Sequence, residues 1–419
     1  MPRPNVVLIM PDQQRADSLG CYGNVFTRTP EVDRLAREGV RFTRAFTTWP
    51  VCTPARGTMW SGVYPHKHRL IENVYGVDDA FATLAGVRTT LFDLVKGAGY
   101  TTAHFGKWHL GEKQPKYFDV WEATFNSRVH HWIGGLDSGV YRPGMQTDRC
   151  IQFLESRKPN DAPFVMVQGY YPPHDPYTAP EEFFAPYRDK GVPFAGYYAS
   201  VSAIDHLTGR ILDALNRTGL RHNTLVVYFA DHGDTFFYRD DGEHKFVCTD
   251  DSIRIPFIVS WPAVLPAGTV DDRMVGLQDL MPTVLDAAGV KPRDGLHGKS
   301  VLPLARGERS GWRDFYYVQN RTHKRRIDQR SYRTGDWKLI GSVDGGAHSL
   351  YDLRRDPEEE WDLFVTPRDD VMYRYRNEPS HAGRARELAH GMRDAAKAID
   401  DAEGVAIADR VIQALAGRA

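Results

Sequence analysis

The sequence predicts an α/β fold: a large, mostly parallel sheet sandwiched by helices, followed by a smaller C-terminal antiparallel sheet with a helix. Unbroken apolar runs alternate with amphipathic helical segments over the first part of the chain, a pattern typical of parallel strands buried on both faces. After about Pro292 this pattern gives way to short strand-like segments. We therefore predict a larger α/β domain over 1–292 and a smaller α+β subdomain over 293–419.

The composition is that of a globular chain with ample apolar residues for a core. The 419 residues are 42% hydrophobic and carry a formal net charge of -1, which gives no reason to expect nucleic acid or an acidic membrane as partner. The cysteines do not form a disulfide framework or a C-x-x-C pair. The first apolar run is too short for a signal or membrane segment, so we expect a cytoplasmic protein. The sequence leaves its oligomeric state open, a homo-oligomer included.

The predicted elements follow from apolar runs and helical periodicity. The strands predicted for the first domain are Val6–Met10, Tyr100–Phe105, Pro163–Gln168, Thr224–Phe229 and Pro256–Trp261. The helices predicted there are Glu31–Gly39, Thr90–Ala98, Tyr198–Leu215 and Asp279–Ala288, the first with Thr29 as its cap and Pro30 at its start. Residues 112–149 show no clear period and are expected to be loop-rich. The predicted C-terminal elements are strands Phe315–Gln319, Ser331–Ile340 and Ser349–Leu353 and a helix after Arg384.

Four short motifs carry most of the functional information. The first is Val51-Cys52-Thr53-Pro54-Ala55-Arg56; by itself its cysteine could simply be a small buried apolar residue. The others are a Gly106-Lys107-Trp108-His109-Leu110-Gly111 hexapeptide, a histidine between prolines in Pro173-His174-Asp175-Pro176, and a segment from Lys245 to Pro256. Polar pairs, Asp12-Gln13 and Asp231-His232, follow two predicted strands, and such groups gather at the carboxyl edge of a parallel sheet.

Together these motifs resemble the sulfatase family, the formylglycine-dependent branch of the alkaline phosphatase-like superfamily, and they occur in the family's order. The Asp-Gln pair is similar to a bacterial variant that phosphonate monoester hydrolases share. The resemblance implies that a formylglycine-generating enzyme oxidises Cys52 to formylglycine, whose hydrate supplies the nucleophilic hydroxyl. It also implies a bound divalent metal with ligands from Asp12, Gln13, Cys52, Asp231 and His232.

The resemblance further implies a role for each remaining motif residue. Arg56 would hold the nucleophile, while Lys107, His174 and Lys245 would bind the sulfate group. His174 with Lys245 would assist the departing alcohol, and His109 with Lys107 would take the proton that releases sulfate. Histidine is suited to both proton transfers near neutral pH.

The oxygen ligands favour Ca²⁺, with Mn²⁺ or Mg²⁺ as alternatives, and the His232 nitrogen weakens the case for Ca²⁺ over Mn²⁺. The expected substrate is a small sulfate ester, such as a sulfated sugar or an aryl or alkyl sulfate. Gln13 removes one negative charge from the site, so a phosphonate monoester or phosphodiester substrate is the first alternative. A non-catalytic anion-binding relative is a more remote one.

Overall fold

A computed structural model gives the structure of the chain. It describes residues 2–124, 131–135, 139–158, 161–188, 190–236, 244–322, 327–343, 348–364 and 379–416. No helix in these ranges is both long and apolar enough to cross a bilayer.

The strands form a large sheet, a smaller sheet and a short two-stranded ribbon. In chain order they are β1 Asn5–Asp12, β2 Val40–Phe46, β3 Thr101–Lys107, β4 Val120–Thr124, β5 Trp132–Ile133, β6 Val140–Tyr141, β7 Phe164–Pro173, β8 Thr224–Phe229, β9 Phe257–Ser260, β10 Thr269–Gly276, β11 Phe315–Thr322, β12 Ile327–Thr334, β13 Trp337–Ser342 and β14 Ser349–Asp352. The large sheet has eight strands in the order β10-β2-β9-β8-β1-β7-β3-β4, and the smaller one runs β11-β12-β13-β14. Only β9 pairs antiparallel within the large sheet, whereas all pairs in the smaller sheet are antiparallel. The predicted fold class is confirmed.

The helices lie between these strands and at the C-terminal end. They are α1 Pro30–Arg37, α2 Cys52–Ser61, α3 Pro65–His68, α4 Ala80–Thr83, α5 Leu91–Gly97, α6 Arg142–Glu155, α7 Glu181–Phe184, α8 Ala195–Arg217, α9 Asp250–Ile253, α10 Leu280–Ala288, α11 Leu302–Ala305, α12 Pro379–Ala398 and α13 Ala402–Ala416.

Strand β1 runs through the centre of the large sheet, parallel to β7 on one side and to β8 on the other. Its side chains alternate between two cores: Leu8 and Met10 enter one, and Val7 and Ile9 enter the other. Helices α2, α5 and α10 cover the first core, and α1, α6 and α8 cover the second. This double cover explains why the strand is apolar from Val6 to Pro11.

The helix that carries the cysteine motif begins earlier than the sequence suggests. The residues from Arg56 onward are able to start a helix, but α2 already starts at Cys52, after an extended Val51. Pro54 does not interrupt it, because the first turn of a helix has no intrahelical use for its N–H groups. Cys52 therefore stands at the N-terminus of α2.

Two further predictions need correction. The segment Ser331–Ile340 is two strands, because Gly335 at φ +56° makes the turn of a hairpin between β12 and β13. The loop-rich stretch 112–149 contains β4 and the start of α6, while its residues 125–130 and 136–138 lie outside the described part. The division of the chain at residue 292 stays a prediction.

Candidate active site

The predicted site residues come from strand ends that meet at the carboxyl edge of the large sheet. Asp12 ends β1, Lys107 ends β3, and His174 directly follows β7. Asp231 comes two residues after β8, and Cys52 reaches the same place from the N-terminus of α2. All five side chains are buried.

A cluster of potential metal ligands forms the centre of the site. Asp12, Cys52, Asp231 and His232 each offer one ligand atom, and these atoms all lie within 4.8 Å of one another. The Nδ1–H of His232 donates to the carbonyl of Gly233 at 2.9 Å, so Nε2 faces Cys52 Sγ at 3.3 Å. A second hydrogen bond that fixes the ring in this way is typical of metal-binding histidines.

Arg56 and Lys107 form buried ion pairs with the two carboxylates. Arg56 Nη2 lies 2.8 Å from Asp12 Oδ2, and Arg56 Nε lies 3.1 Å from Asp231 Oδ2. The guanidinium also donates to the carbonyl of Lys107 at 2.8 Å. Lys107 Nζ pairs with Asp12 Oδ2 at 2.7 Å. Arg56 thus holds both carboxylates, and Lys107 adds a second positive charge beside Asp12.

Two ammonium groups flank the sulfur of Cys52. The Nζ atoms of Lys107 and Lys245 each lie 3.7 Å from Cys52 Sγ. Lys245 Nζ also lies 3.1 Å from His174 Nε2 and donates to Gln13 Oε1 at 2.9 Å. This pair of cations makes the space around residue 52 suited to an anionic group.

The surroundings lower the pKa of Cys52 and of His109 but raise the pKa of His174. Burial acts to raise the pKa of the Cys52 thiol, but Lys107, Lys245 and a hydrogen bond with His109 lower it well below its usual value. Burial lowers the pKa of His109 to about 4. Burial and Lys245 oppose protonation of His174, yet its hydrogen bond with Asp175 raises the pKa overall. His174 Nδ1 lies 2.8 Å from Asp175 Oδ1.

The residues present fit a divalent cation. Burial and Cys52 act to raise the pKa of Asp12, but Lys107 and Arg56 hold it below its usual value, so this carboxylate stays charged. Burial and the charge of Asp12 raise the pKa of Asp231 to about 6. A cation among them would relieve this repulsion. Ligands of one Ca²⁺ lie up to about 5 Å apart, which matches the spread of the cluster.

Gln13 lies beside this cluster, and its contacts reveal a residue to which the sequence analysis gave no role. Its backbone N–H donates to Asp231 Oδ1 at 3.0 Å, and its side-chain amide donates to Asp234 Oδ2 at 2.8 Å. The same Asp234 oxygen accepts from the hydroxyl of Tyr177 at 2.7 Å. Asp234 lies two residues after the Asp231-His232 pair, and this proximity is the feature of the sequence that could have indicated its place in the site. Whether Gln13 is itself a ligand stays a prediction.

The structure therefore brings the predicted site residues into one buried site, and this arrangement is that of an alkaline phosphatase-like hydrolase. A family model described as "Sulfatase" matches residues 4–290, and one described as "N-sulphoglucosamine sulphohydrolase, C-terminal" matches residues 242–378. The chain belongs to the sulfatase family, whose members are sulfuric ester hydrolases. The predicted enzyme class is confirmed at this level.

Curated relatives agree with the family models. The chain is 30% identical over 338 residues to an ulvan-active sulfatase of Formosa agariphila. The aligned region covers 72% of this chain and 65% of the relative. The chain is 27% identical over 449 residues to an arylsulfatase of Clostridium perfringens. The aligned region covers 86% of this chain and 90% of the relative.

Solved structures show the same fold. A protein solved with its substrate D-glucosamine-2-N,6-O-disulfate matches with a TM-score of 0.79 and 22% identity, over 96% of this chain and 99% of the other. The phosphonate monoester hydrolase of Agrobacterium radiobacter matches with a TM-score of 0.72 and 22% identity, over 93% of this chain and 96% of the other.

Proposed function

We propose that the protein is a metal-dependent sulfatase that hydrolyses a small sulfate ester with a formylglycine made from Cys52. One observation carries the proposal: Cys52 Sγ lies in the ligand cluster and between two ammonium groups. A sulfate ester resists nucleophiles because its oxygens are negative. Two ammonium groups beside the nucleophile position reduce that repulsion.

The metal would bind between the two strand-end pairs. Asp12, Asp231, His232 and residue 52 hold it in this proposal, with Gln13 as a further ligand, and the oxygen donors favour Ca²⁺ over Mn²⁺ or Mg²⁺. Once bound, the cation would screen the sulfate oxygens as their charge grows in the transition state. Burial acts to lower the pKa of His232, but Asp231 and Cys52 raise it above its usual value. Metal binding would displace that proton.

The Cys-x-Pro-x-Arg pattern supports conversion of Cys52 to formylglycine by a formylglycine-generating enzyme. The hydrated aldehyde would supply the attacking hydroxyl at the place where Sγ now lies. Arg56 orients this region through Asp12 and Asp231, both of which it contacts.

The remaining residues bind the sulfate and move protons. Lys107 and Lys245 both lie close to residue 52 and would bind the sulfate oxygens. His174, held through Nδ1 by Asp175, presents Nε2 beside Lys245 and would protonate the departing alcohol. His109, in hydrogen-bond contact with residue 52, would take the proton whose loss releases sulfate.

The proposed substrate class is a sulfated sugar or an aryl or alkyl sulfate. Relatives named as ulvan-active sulfatase and arylsulfatase support it, as does the similar structure that holds a sulfated glucosamine. A phosphonate monoester or phosphodiester hydrolase is the second candidate, favoured by the uncharged Gln13 and the similarity to a phosphonate monoester hydrolase. The remote alternative is a non-catalytic anion-binding relative.

The test is to produce the protein together with a formylglycine-generating enzyme and to analyse its tryptic peptide 45–56 by mass spectrometry. We expect formylglycine at position 52 and a higher kcat/KM for an aryl sulfate than for matched phosphonate monoester and phosphodiester substrates. Cys52→Ala should abolish turnover, because no aldehyde can form. A higher value for either phosphorus substrate would favour the second candidate. An unmodified thiol in active protein would overturn the mechanism, and a modified protein without turnover would favour the anion-binding relative.

A further inference from the structure

Tyr75 is a large exposed side chain that lies against the site. It is 54% exposed, and its ring centroid lies 5.6 Å from that of His109, with the two planes at 56°. His109 itself is fully buried. The tyrosine therefore packs against the buried histidine, and the rest of its ring faces solvent.

Hydrogen bonds on both sides hold Tyr75 in this place. The N–H of Val74 donates to Thr53 Oγ1 at 3.3 Å, and the N–H of Gly76 donates to Glu112 Oε1 at 3.1 Å. Thr53 is the residue directly after the proposed nucleophile, and its hydroxyl donates in turn to the carbonyl of His109 at 2.9 Å. The position of the ring is thereby tied to the position where the ester bond would break.

The site combines buried cations, Lys107 and Lys245, with an exposed aromatic side chain, Tyr75. The cations that would hold the sulfate group, Lys107 and Lys245, are almost fully buried, so the alcohol part of the ester must point outward. Tyr75 offers that part a broad apolar face. A pyranose ring presents a flat face of C–H groups that buries well against an aromatic ring, whereas an open alkyl chain covers much less of it.

We propose that Tyr75 is the platform for the alcohol ring of the substrate and selects pyranose sulfates over acyclic alkyl sulfates. The proposal rests on the sulfatase activity proposed above and names its substrate class more narrowly. Aryl sulfates also present a flat apolar ring, so the experiment includes both a pyranose sulfate and an aryl sulfate.

The experiment compares Tyr75→Ala and Tyr75→Phe with the unsubstituted, metal-loaded enzyme on a pyranose sulfate, nitrophenyl sulfate and an acyclic alkyl sulfate. Tyr75→Ala should lower kcat/KM for the pyranose sulfate about tenfold or more, mainly through KM, because binding area is lost. The acyclic sulfate should change by less than about twofold, a loss within the usual effect of a surface substitution. Tyr75→Phe should behave as the unsubstituted enzyme, because it keeps the ring face. Val270→Ala, at an equally exposed side chain (53%) on β10, is the matched control.

An equal loss on all three substrates would mean that Tyr75 only shields His109, and it would overturn the proposal. A loss confined to nitrophenyl sulfate would overturn the pyranose assignment in favour of aryl sulfates. If the unsubstituted enzyme hydrolyses no sulfate ester, the proposed function fails first. That result is distinct from the loss of ring selectivity in an active enzyme.

Discussion

At position 13 the site needs a side chain that accepts and donates at once. Gln13 Oε1 accepts from Lys245 at 2.9 Å, and its Nε2 donates to Asp234 Oδ2 at 2.8 Å. An amide can do both, but a carboxylate only accepts. The amide is therefore matched to Asp234, which a carboxylate at position 13 would repel.

We predict that Gln13→Glu lowers the free energy of unfolding by about 1–3 kcal/mol in the metal-free protein. The substitution keeps the size of the side chain and sets a carboxylate oxygen against the buried Asp234. Urea denaturation in the presence of a chelator measures the change. Asp234→Asn restores a donor at this contact, so the double variant should be more stable than the sum of the single effects. Strict additivity would contradict the explanation.

The candidate residues of the site could be picked out from the sequence, but their contacts could not. Cys52, Arg56, Lys107 and His109 lie in short motifs that identify them. Nothing in the sequence shows that Asp234 meets the amide of Gln13, because the two residues are brought together by neighbouring strands, β1 and β8, far apart in the chain.

At the scale of elements, helix α1 is capped by another helix. Thr29 stands at the predicted cap position, but its hydroxyl accepts from the N–H of Gly20 and makes no bond to the helix N–H groups. Instead Asp205 of α8 accepts from the N–H groups of Glu31 and Val32, the latter at 2.7 Å. Burial raises the pKa of Asp205 to about 7 despite these donors.

This raised pKa predicts a pH-dependent stability. The folded state binds the Asp205 proton more tightly than the unfolded state, in which the pKa of this carboxyl group is 3.8. The stabilisation of the folded state by this proton is therefore complete below about pH 4, and it is lost as the pH rises through about 7. Asp205→Asn keeps an oxygen for the cap and does not titrate. Its stability relative to the unsubstituted protein should therefore rise between pH 5 and pH 8, by on the order of 2–3 kcal/mol.

Denaturant unfolding at both pH values measures this difference. Asp205→Ala is the control: it does not titrate either, so its stability relative to the unsubstituted protein should rise by the same amount, but because it removes the cap it should lie about 1 kcal/mol below Asp205→Asn at both pH values. Parallel pH profiles for the asparagine variant and the unsubstituted protein would refute the role of this carboxyl group.

The strands with unbroken apolar runs, such as β1 and β8, were predictable because burial on both faces leaves a strong signal. Helix α6 was not, since its buried positions include Gln146 and Thr147 beside the apolar Phe153 and Leu154. Polar residues on the buried side conceal the helical period. The hairpin of β12 and β13 was missed although Gly335 marks its turn.

At the scale of the molecule, the smaller sheet holds the segment that follows Lys245. The side chain of Asn320 in β11 donates to the carbonyl of Phe246 at 2.5 Å. Lys338 in β13 donates to the carbonyl of Cys248 at 3.3 Å and forms ion pairs with Asp250 and Glu359. The C-terminal part thus fixes the backbone from which Lys245 enters the site.

We predict that Lys338→Met lowers kcat/KM at least about tenfold although residue 338 does not touch the site. The loss follows because the segment that carries Lys245 loses a support. Glu359 also loses its buried ion-pair partner, whereas Asp250 keeps its ion pair with Arg333. The free energy of unfolding should also fall, by about 3–5 kcal/mol. Arg321→Met, which breaks a pair with Glu403 at the surface of the same sheet, is the control and should leave kcat/KM unchanged.

Activity is measured below the unfolding transition, so that a folded variant is compared with a folded enzyme. Saturation with sulfate ester separates kcat from KM, and a positioning role predicts a change in kcat as well as in KM. Full kcat/KM in a Lys338→Met protein of reduced stability would show that the contact is merely structural.

The presence of two sheets could be predicted from the change in pattern after Pro292, whereas the strand order could not. The sequence gives no sign that β9 lies antiparallel between β2 and β8, or that β13 reaches the segment after Lys245. Such contacts depend on three-dimensional packing between residues far apart in the chain.

The burial of Cys52 also determines whether its proposed modification comes before or after folding. Every residue of α2 is buried, and Cys52 has no exposed surface. A maturation enzyme needs access to the thiol, so the proposed conversion has to occur while this segment is still unfolded. Under this proposal, folding and maturation would compete for each newly made chain. A molecule that folded first would keep its thiol, and later addition of the maturation enzyme would not rescue it.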